Sequence, residues 1–323
     1  MKHAAGKVEE IKKKRSIKDN ILRLVKRTKN KSPNKLIPIR KKIDLSAIKK
    51  EVAREMNEGV KSDSNIRSAA KTEEVKGYIK TGIEGLDALF KKGIPQGTSM
   101  LVAGGAGSGK TVLCLQMLNY QIAKGKKCLF MSFEESRENL IKHMEGFGWK
   151  PRDYIQKGSL MIERFNPFDI TRSVDALLME AKGELLIDIE PIIFPVEFKP
   201  EFIVIDSLTA IASAFVGKED SYRIYIEQLF RFFEKIGANT FLVAETKQVP
   251  TIFSQTGVEE FLADGVIVLY SLKTGNTREK AIEVLKLRGA EHEHKVVAFE
   301  ITTKGIIVYP EQEVFAEIKE TED

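Results

Sequence analysis

The octapeptide Gly104–Thr111 constrains the fold of this chain more than any other segment. Its sequence, GGAGSGKT, satisfies the pattern G-x-x-x-x-G-K-[ST] without a mismatch. The preceding segment Thr98–Ala103 is apolar and predicts a buried strand, and Thr111–Lys124 has the apolar spacing of a helix. Glycines let backbone N–H groups turn toward an anion, and a helix N-terminus adds partial positive charge there. The motif in this setting therefore predicts a phosphate-binding loop, the P-loop.

The side chains of the P-loop predict ATP and Mg²⁺ as ligands. Lys110 is expected to reach the β- and γ-phosphates, and the Thr111 hydroxyl is expected to bind Mg²⁺. The alternative is a glycine-rich turn that matches by chance, which the flanking strand and helix disfavour. The residues predicted to bind the nucleotide here are Gly104, Gly105, Ala106, Gly107, Ser108, Gly109, Lys110, Thr111 and Val112.

A carboxylate ends the apolar segment Phe202–Asp206, which predicts a central strand. Asp206 is predicted to hold the water shell of the Mg²⁺, because the carboxyl ends of parallel strands lie at the ligand-binding edge of such a sheet. An apolar strand that ends in Asp is common by itself, so this assignment depends on the P-loop upstream.

Two further carboxylates, Glu134 and Glu135, follow the predicted strand Lys127–Phe133. One of them could orient or deprotonate the water that attacks the γ-phosphate. Alternatively, both are favourable charges at the start of the predicted helix Ser136–Phe147, where the helix dipole attracts anions. The residues alone leave both interpretations open.

Strands and helices alternate from Lys127 to Ala244, which predicts a mostly parallel sheet covered on both faces. After Val258 the pattern changes to short strands joined by tight turns, which predicts an antiparallel continuation of the same sheet. These four predicted strands are Gly265–Tyr270, Ala281–Leu287, Val296–Ile301 and Gly305–Val308. The predicted fold class is therefore α/β, with a single folded domain.

The net charge of +6 hides an asymmetry along the chain. Residues 1–50 hold 18 Lys and Arg against 4 Asp and Glu, and the remaining residues hold 34 against 42. We predict a basic, disordered or partly helical extension over residues 1–76, a domain with the P-loop over residues 77–312, and an acidic tail over residues 313–323. The extension could bind nucleic acid, an anionic membrane surface or an acidic partner, or it could be a solvated tail.

The remaining composition excludes several classes. No apolar run approaches the roughly 18 residues of a membrane span, and the basic N-terminus lacks the apolar region of a signal peptide, which predicts a cytoplasmic protein. Cys114 and Cys128 are predicted to be core residues because their spacing does not suit a metal site.

Several motifs occur together in one order along the chain. They are Thr81–Asp87, the P-loop, Phe133–Glu135, Ile205–Ser207, Gly257–Val266 and Lys286–Gly289. In this order they resemble a single KaiC-type domain of the RecA/DnaB ATPase superfamily, from about Lys80 to Pro310. The resemblance implies a RecA-like P-loop NTPase fold and says nothing about the basic extension. The apolar 180–200 insert, which contains prolines, could be a core segment or a partner-docking flap.

The resemblance also implies roles for individual residues. Glu134 matches the catalytic carboxylate of the family and Glu135 its neighbour. Lys286 and Arg288 match a pair that each subunit inserts into the nucleotide site of the next, where positive charge stabilises the transferring phosphate. His292 matches a histidine near the neighbour's nucleotide, although a surface role is equally open.

The same resemblance implies an Mg²⁺-dependent ATPase that assembles into a homo-oligomeric ring, expected to be a hexamer, and works as a switch or motor. One alternative is a DNA-binding, recombinase-like ATPase that uses the basic extension, and another is a nucleotide-binding module without hydrolysis. Glu245 and Lys247 resemble the strand that senses the γ-phosphate. Glu259 and Glu260 stand where autokinase relatives carry a Ser-Thr acceptor pair, which predicts hydrolysis without self-phosphorylation.

Overall fold

The computed structural model describes residues 75–180, 195–248, 250, 252–274 and 277–314. Nearly all of the basic extension, most of the 180–200 insert and most of the acidic tail lie outside the described residues. The DNA-binding alternative depends on that extension and therefore also lies outside them.

The described residues form short and long strands that alternate with helices. The strands are β1 (Tyr78–Ile79), β2 (Ile94–Pro95), β3 (Ser99–Gly104), β4 (Cys128–Ser132), β5 (Leu160–Arg164), β6 (Phe202–Asp206), β7 (Asn239–Glu245), β8 (Gly265–Thr274), β9 (Thr277–Leu287), β10 (Val297–Thr302) and β11 (Gly305–Glu313). The helices are α1 (Leu86–Leu89), α2 (Lys110–Ala123), α3 (Arg137–Gly146), α4 (Pro151–Gln156), α5 (Pro167–Glu180), α6 (Leu208–Ser213), α7 (Glu219–Ile236) and α8 (Val258–Leu262), with a 3₁₀ turn at Val196–Phe198.

One large sheet organises the fold. Within the described residues it has nine strands in the order β11-β10-β9-β8-β3-β7-β6-β4-β5, and β1 pairs with β2 in a separate hairpin. The strands from β8 to β5 in this order are parallel, and β9, β10 and β11 are antiparallel. This confirms the α/β class with a mostly parallel sheet and antiparallel C-terminal strands.

The prediction for β8 was wrong in its direction. β8 pairs in parallel with β3, with Met100 opposite Gly265, so the antiparallel part of the sheet begins one strand later than predicted. After β7 the chain passes through α8 before it enters β8. A crossover connection of this kind returns the chain to the end of the sheet at which β7 began, so the next strand runs parallel to its neighbour. Pairing direction depends on this long-range path, which the local pattern does not encode.

The hairpin of β8 and β9 is longer than the predicted strands Gly265–Tyr270 and Ala281–Leu287. Pairing continues beyond them, for example between Leu272 and Glu279. The added residues 277–280 of β9 are polar, so apolar alternation does not mark them. The short elements α1, α4, α6 and α8 were not predicted either, because their four to six residues show no periodicity.

The sheet has an apolar layer on each face. In β4, Cys128 and Phe130 pack in the layer that contains α2, and Leu129 and Met131 pack in the layer that contains α7. This alternation follows from the pleat of a strand, in which successive side chains point to opposite faces. Cys114 and Cys128 are both buried, which confirms that they are core residues.

The helix α7 covers one face of the sheet with an amphipathic surface. Its buried residues Tyr222, Ile226, Leu229 and Phe233 recur at intervals of three and four, which places them on one side. The helix ends at Gly237, whose φ of 71° is in the left-handed region that suits glycine. None of the helices in the described part of the chain is long and apolar enough to cross a membrane.

The segment Thr81–Asp87 is held together by one carboxylate. Asp87 accepts hydrogen bonds from the Thr81 backbone N–H at 2.6 Å, the Thr81 hydroxyl at 2.8 Å and the Gly82 N–H at 3.1 Å. Replacing Asp87 with Ala is expected to lower the free energy of unfolding by about 1–3 kcal/mol, because these donors lose a charged acceptor. Urea unfolding measures the change. Glu84→Ala in the same loop, at an exposed side chain, is the control, and equal losses in both variants would contradict the explanation.

Candidate active site

The P-loop connects β3 to α2 at the edge where β3, β7, β6 and β4 end side by side. Gly107 and Gly109 have φ values of 72° and 112°, which side chains other than glycine rarely adopt. A Cβ at Gly109 would also lie 2.9 Å from Cδ1 of Ile301. The loop therefore presents its backbone without side chains in the way, as a phosphate requires.

Lys110 is the first residue of α2, and only 7% of it is exposed. Its Nζ donates to the carbonyl of Gly105 at 3.0 Å and lies 3.8 Å from Oε1 of Glu245 at the end of β7. The ammonium is thus held over the loop by one backbone carbonyl and one more distant carboxylate, which phosphate oxygens can replace. Lys247, the other residue of that predicted sensor strand, is exposed.

Thr111 and Asp206 lie together where β6 meets the start of α2. The Thr111 hydroxyl donates to Oδ2 of Asp206 at 2.7 Å. A hydroxyl and a carboxylate are the hard oxygen donors that Mg²⁺ prefers, and few protein donors suffice where substrate phosphates complete the coordination. The donor set therefore fits the predicted magnesium site.

The environment of Asp206 disfavours its charged form. Its pKa is raised to about 6, mainly by burial and also by the carboxylate of Glu134, against the lowering effects of the hydrogen bond from Thr111 and the charge of Lys110. A bound cation would offset this cost, because a charge of opposite sign favours the ionised carboxylate.

Replacing Asp206 with Asn is expected to stabilise the ligand-free protein at pH 8 by about 2–3 kcal/mol. The pKa of Asp206 is raised in the folded state to about 6 from 3.8, so ionisation opposes folding at pH 8. This cost declines as the pH falls from 6 to 4, because Asp206 then becomes protonated in the folded chain first. Asn removes the charge and keeps an oxygen for Thr111.

Urea unfolding at pH 8 and pH 5 measures this effect. The gain from Asp206→Asn should shrink to roughly half at pH 5, since the linkage is then only partly expressed. The exposed Asp153 of α4 gives a matched Asn control that should show no gain at either pH. An equal gain at both pH values would show that the charge is not the cause.

Glu134 and Glu135 follow β4 and border the same space. The Ser207 hydroxyl donates to Oε1 of Glu134, and it also accepts from the Ala210 N–H at 3.2 Å as the N-cap of α6. Oε2 of Glu135 lies 3.5 Å from Nδ1 of His143 on α3. Glu134 is therefore oriented by Ser207, the residue that directly follows Asp206 at the end of β6.

These side chains surround one cavity of about 300 Å³. Its lining includes Lys110, Thr111, Glu134, Glu135, His143 and Asp206. A phosphate chain in this cavity would have a cation, oxygen donors for a metal and a carboxylate within reach. The structure thus brings together residues that lie far apart in the sequence.

Lys286 does not line this cavity. It is the second-to-last residue of β9. Its Nζ donates to the backbone carbonyls of Glu260 at 2.9 Å and Ala263 at 2.7 Å, at the end of α8. Carbonyls there lack partners within the helix and carry partial negative charge, so they attract a cation.

Arg288 also contacts the end of α8. Its Nη2 donates to the carbonyl of Phe261 at 2.7 Å and its Nη1 to that of Leu262 at 3.4 Å, and Asp264 Oδ1 lies 3.9 Å from Nη1. More than half of the Arg288 side chain (56%) remains exposed. It is therefore available to a second molecule.

His292 lies beyond β9 and, like Lys286 and Arg288, outside the lining of the cavity. Its ring centroid is 4.3 Å from that of His294, and its buried Nε2 has no hydrogen-bond partner among the described residues. Burial and the positive charges of His294 and Lys91 lower the pKa of His292. Its predicted contact with a neighbour's nucleotide stays a prediction.

Three contacts at this site were not predicted. His143 borders the cavity, Lys280 of β9 donates to the carbonyl of Gly107 at 2.7 Å, and Gln248 donates to that of Ala106 at 3.2 Å. Lys280 and Gln248 lie far along the chain from the P-loop, and none of the three residues belongs to a recognisable motif. Of these three residues, only Gln248 has a local signal in the sequence, because it lies a few residues after the predicted strand that ends near Ala244.

A match to a known protein family identifies the kind of domain to which this cavity belongs. A family model described as "ATPase: KaiC" matches residues 79–313. The chain belongs to the KaiC ATPase family. The predicted KaiC-type domain and its RecA-like α/β fold are thereby confirmed, and the P-loop cavity belongs to a nucleotide-binding domain.

Individual relatives agree with this assignment. The chain is 31% identical over 260 residues to the circadian clock oscillator protein KaiC of Rippkaea orientalis, a match that covers 79% of this chain and 48% of that protein. It is 33% identical over 236 residues to the circadian clock protein KaiC3 of Synechocystis, covering 72% of this chain and 45% of that protein. The chain therefore spans about half the length of these curated relatives.

A solved structure has a similar fold over nearly its whole length. The crystal structure of a KaiC-like protein from Pyrococcus horikoshii is 30% identical, superposes with a TM-score of 0.60, and covers 72% of this chain and 99% of the archaeal chain. The fold described here therefore extends over almost the full length of that archaeal chain.

Proposed function

We propose that this protein is an Mg²⁺-dependent ATP hydrolase whose nucleotide site is completed by a second copy of the chain. Residues 77–312 would be the catalytic unit. The observation that carries the proposal is the convergence of Lys110, Thr111, Asp206 and Glu134 on one cavity at the ends of adjacent strands.

The P-loop side of the site would bind the phosphates. Backbone N–H groups of the loop and Lys110 would contact the phosphate oxygens, with Lys110 leaving the carbonyl of Gly105. Thr111 and Asp206 would hold Mg²⁺, which when bound neutralises phosphate charge. Of the other P-loop residues predicted to bind the nucleotide, Gly107, Gly109 and Val112 line the cavity.

The chemical step would be attack of water on the γ-phosphate. Glu134 would accept a hydrogen bond or a proton from this water while the bond to the ADP oxygen breaks, giving ADP and inorganic phosphate. Its hydrogen bond from Ser207 holds the carboxylate in place. Glu135, beside His143, would support the same edge of the cavity.

Lys286 and Arg288 would act on the neighbouring copy. Both lie away from the cavity of their own chain, and Arg288 is largely exposed. Positive charge added from the next subunit would stabilise the charge that develops on the transferring phosphate. An interface between two different surfaces closes into a ring or winds into a filament, and we propose a ring, expected to be hexameric, that works as an ATP-driven switch or motor.

Phosphate release from ATP by the full chain tests this function. We expect release in MgCl₂ that stops when EDTA removes the metal, in the fraction that elutes as an oligomer. An oligomer that binds ATP and releases no phosphate would instead be a nucleotide-binding module, and the enzyme proposal would be wrong.

A further inference from the structure

Glu259 is a fully buried carboxylate that the proposed reaction does not use. It is the second residue of α8, and none of its surface is exposed. Burying a charge is costly unless hydrogen bonds satisfy it, so its partners indicate its role. The Tyr222 hydroxyl donates to its Oε1 at 2.6 Å, and the Thr256 hydroxyl donates to its Oε2 at 2.8 Å.

Tyr222 connects Glu259 to the core of the protein. It lies on α7, is 2% exposed, and packs against Phe215 with ring centroids 5.6 Å apart. Burial and the charge of Glu259 both raise the pKa of Tyr222, so its hydroxyl stays protonated and remains a donor. The beginning of α8 is therefore attached to the buried core beneath α7.

The other end of α8 holds the two cations. The carbonyls at its C-terminal end accept hydrogen bonds from Lys286 and Arg288. Because α8 has only 5 residues, a displacement of its first turn moves these carbonyls too. A shift of Glu259 would therefore also shift the carbonyls that hold Lys286 and Arg288.

We propose that Glu259 is a positioning residue for Lys286 and Arg288, which it aligns through α8 for insertion into the nucleotide site of a second copy. This inference rests on the proposed function of that pair. Without the bond between Glu259 and Tyr222, α8 is free to shift, and a misplacement of about 1 Å at a reacting centre costs up to roughly a hundredfold in rate.

The first test is a set of single variants. Glu259→Ala and Tyr222→Phe are each expected to lower kcat roughly tenfold or more, with KM close to native, because the P-loop side that binds ATP is unchanged. Glu259→Gln keeps an acceptor for the Tyr222 hydroxyl and should retain most of the turnover. Glu227→Ala, at a partly exposed carboxylate of α7 that pairs with Arg223, is the matched control and should behave like the native chain.

The second test assigns the defect to one side of the shared site. Glu259→Ala is co-expressed with Lys110→Ala, whose cations are intact, and separately with Arg288→Ala, whose P-loop is intact. We expect turnover to recover with Lys110→Ala only, because the two subunits can then form junctions with a sound P-loop and a sound cation pair. A merely structural defect would not distinguish between these partners.

The outcomes distinguish a failure of this inference from a failure of the proposed function on which it rests. If Lys110→Ala and Arg288→Ala fail to complement each other, the shared site is wrong and the role of Glu259 with it. If that reference pair recovers turnover but Glu259→Ala is complemented by Arg288→Ala, by neither partner, or shows no defect, the inference alone is overturned. Tyr222→Phe, which removes one hydroxyl, gives the same comparison should Glu259→Ala not fold.

Discussion

Changing Glu134 to Gln should lower ATP turnover by about 100- to 10,000-fold while nucleotide binding persists. The amide keeps the shape of the side chain and an acceptor for Ser207, but it cannot take a proton from the attacking water. The residues that contact the phosphates are unchanged, so the protein should bind ATP and hold it without cleavage.

Single-turnover hydrolysis and equilibrium binding of ATP separate these two effects. Glu138→Gln is the matched control, because Glu138 is an exposed carboxylate on the neighbouring helix α3 that pairs with Arg152. It should leave both quantities unchanged. Hydrolysis at the native rate by Glu134→Gln would rule out Glu134 as the base and make Glu135 the next candidate.

Replacing Arg288 with Ala is expected to reduce turnover by about 10³- to 10⁵-fold, as for other arginines that complete a phosphoryl-transfer site from a neighbour. In its own chain Arg288 contacts only the carbonyls and the carboxylate near the end of α8 among the described residues. ATP binding to the P-loop of each copy should therefore weaken far less than hydrolysis.

Steady-state kinetics together with size-exclusion chromatography checks this expectation. Arg231→Ala, at an exposed arginine of α7, removes the same charge elsewhere and should have little effect. An Arg288→Ala oligomer with native turnover would show that the guanidinium does not act at the phosphate. The same comparison for Lys286→Ala tests the second cation.

The sequence was sufficient for the parallel strands other than β8 and for the edge of the sheet at which the P-loop lies. β3 and β6 end at Gly104 and Asp206, and β4 ends two residues before Glu134, so local patterns placed these residues at one edge. A motif with strict spacing and a strand that ends in a carboxylate are both short-range signals. The fold class follows from the same alternation.

Long-range pairing was the part that the sequence did not determine. The direction of β8 and the polar end of β9 depend on which strand lies beside them. Lys280 and Gln248 reach the P-loop by folding rather than by proximity along the chain. The contacts of Lys286 and Arg288 with the end of α8 could not be predicted either, because a five-residue helix leaves no periodic pattern.

Co-expression of Lys110→Ala with Arg288→Ala tests the central claim, that two copies share each nucleotide site. Each variant alone should be almost inactive, one lacking the P-loop cation and the other the cation donated to its neighbour. If the copies assemble at random, about a quarter of the junctions in the mixed oligomer would be intact and turnover should recover to about that fraction. A mixed oligomer as inactive as its two components, or a native monomer that hydrolyses ATP at full rate, would contradict the account.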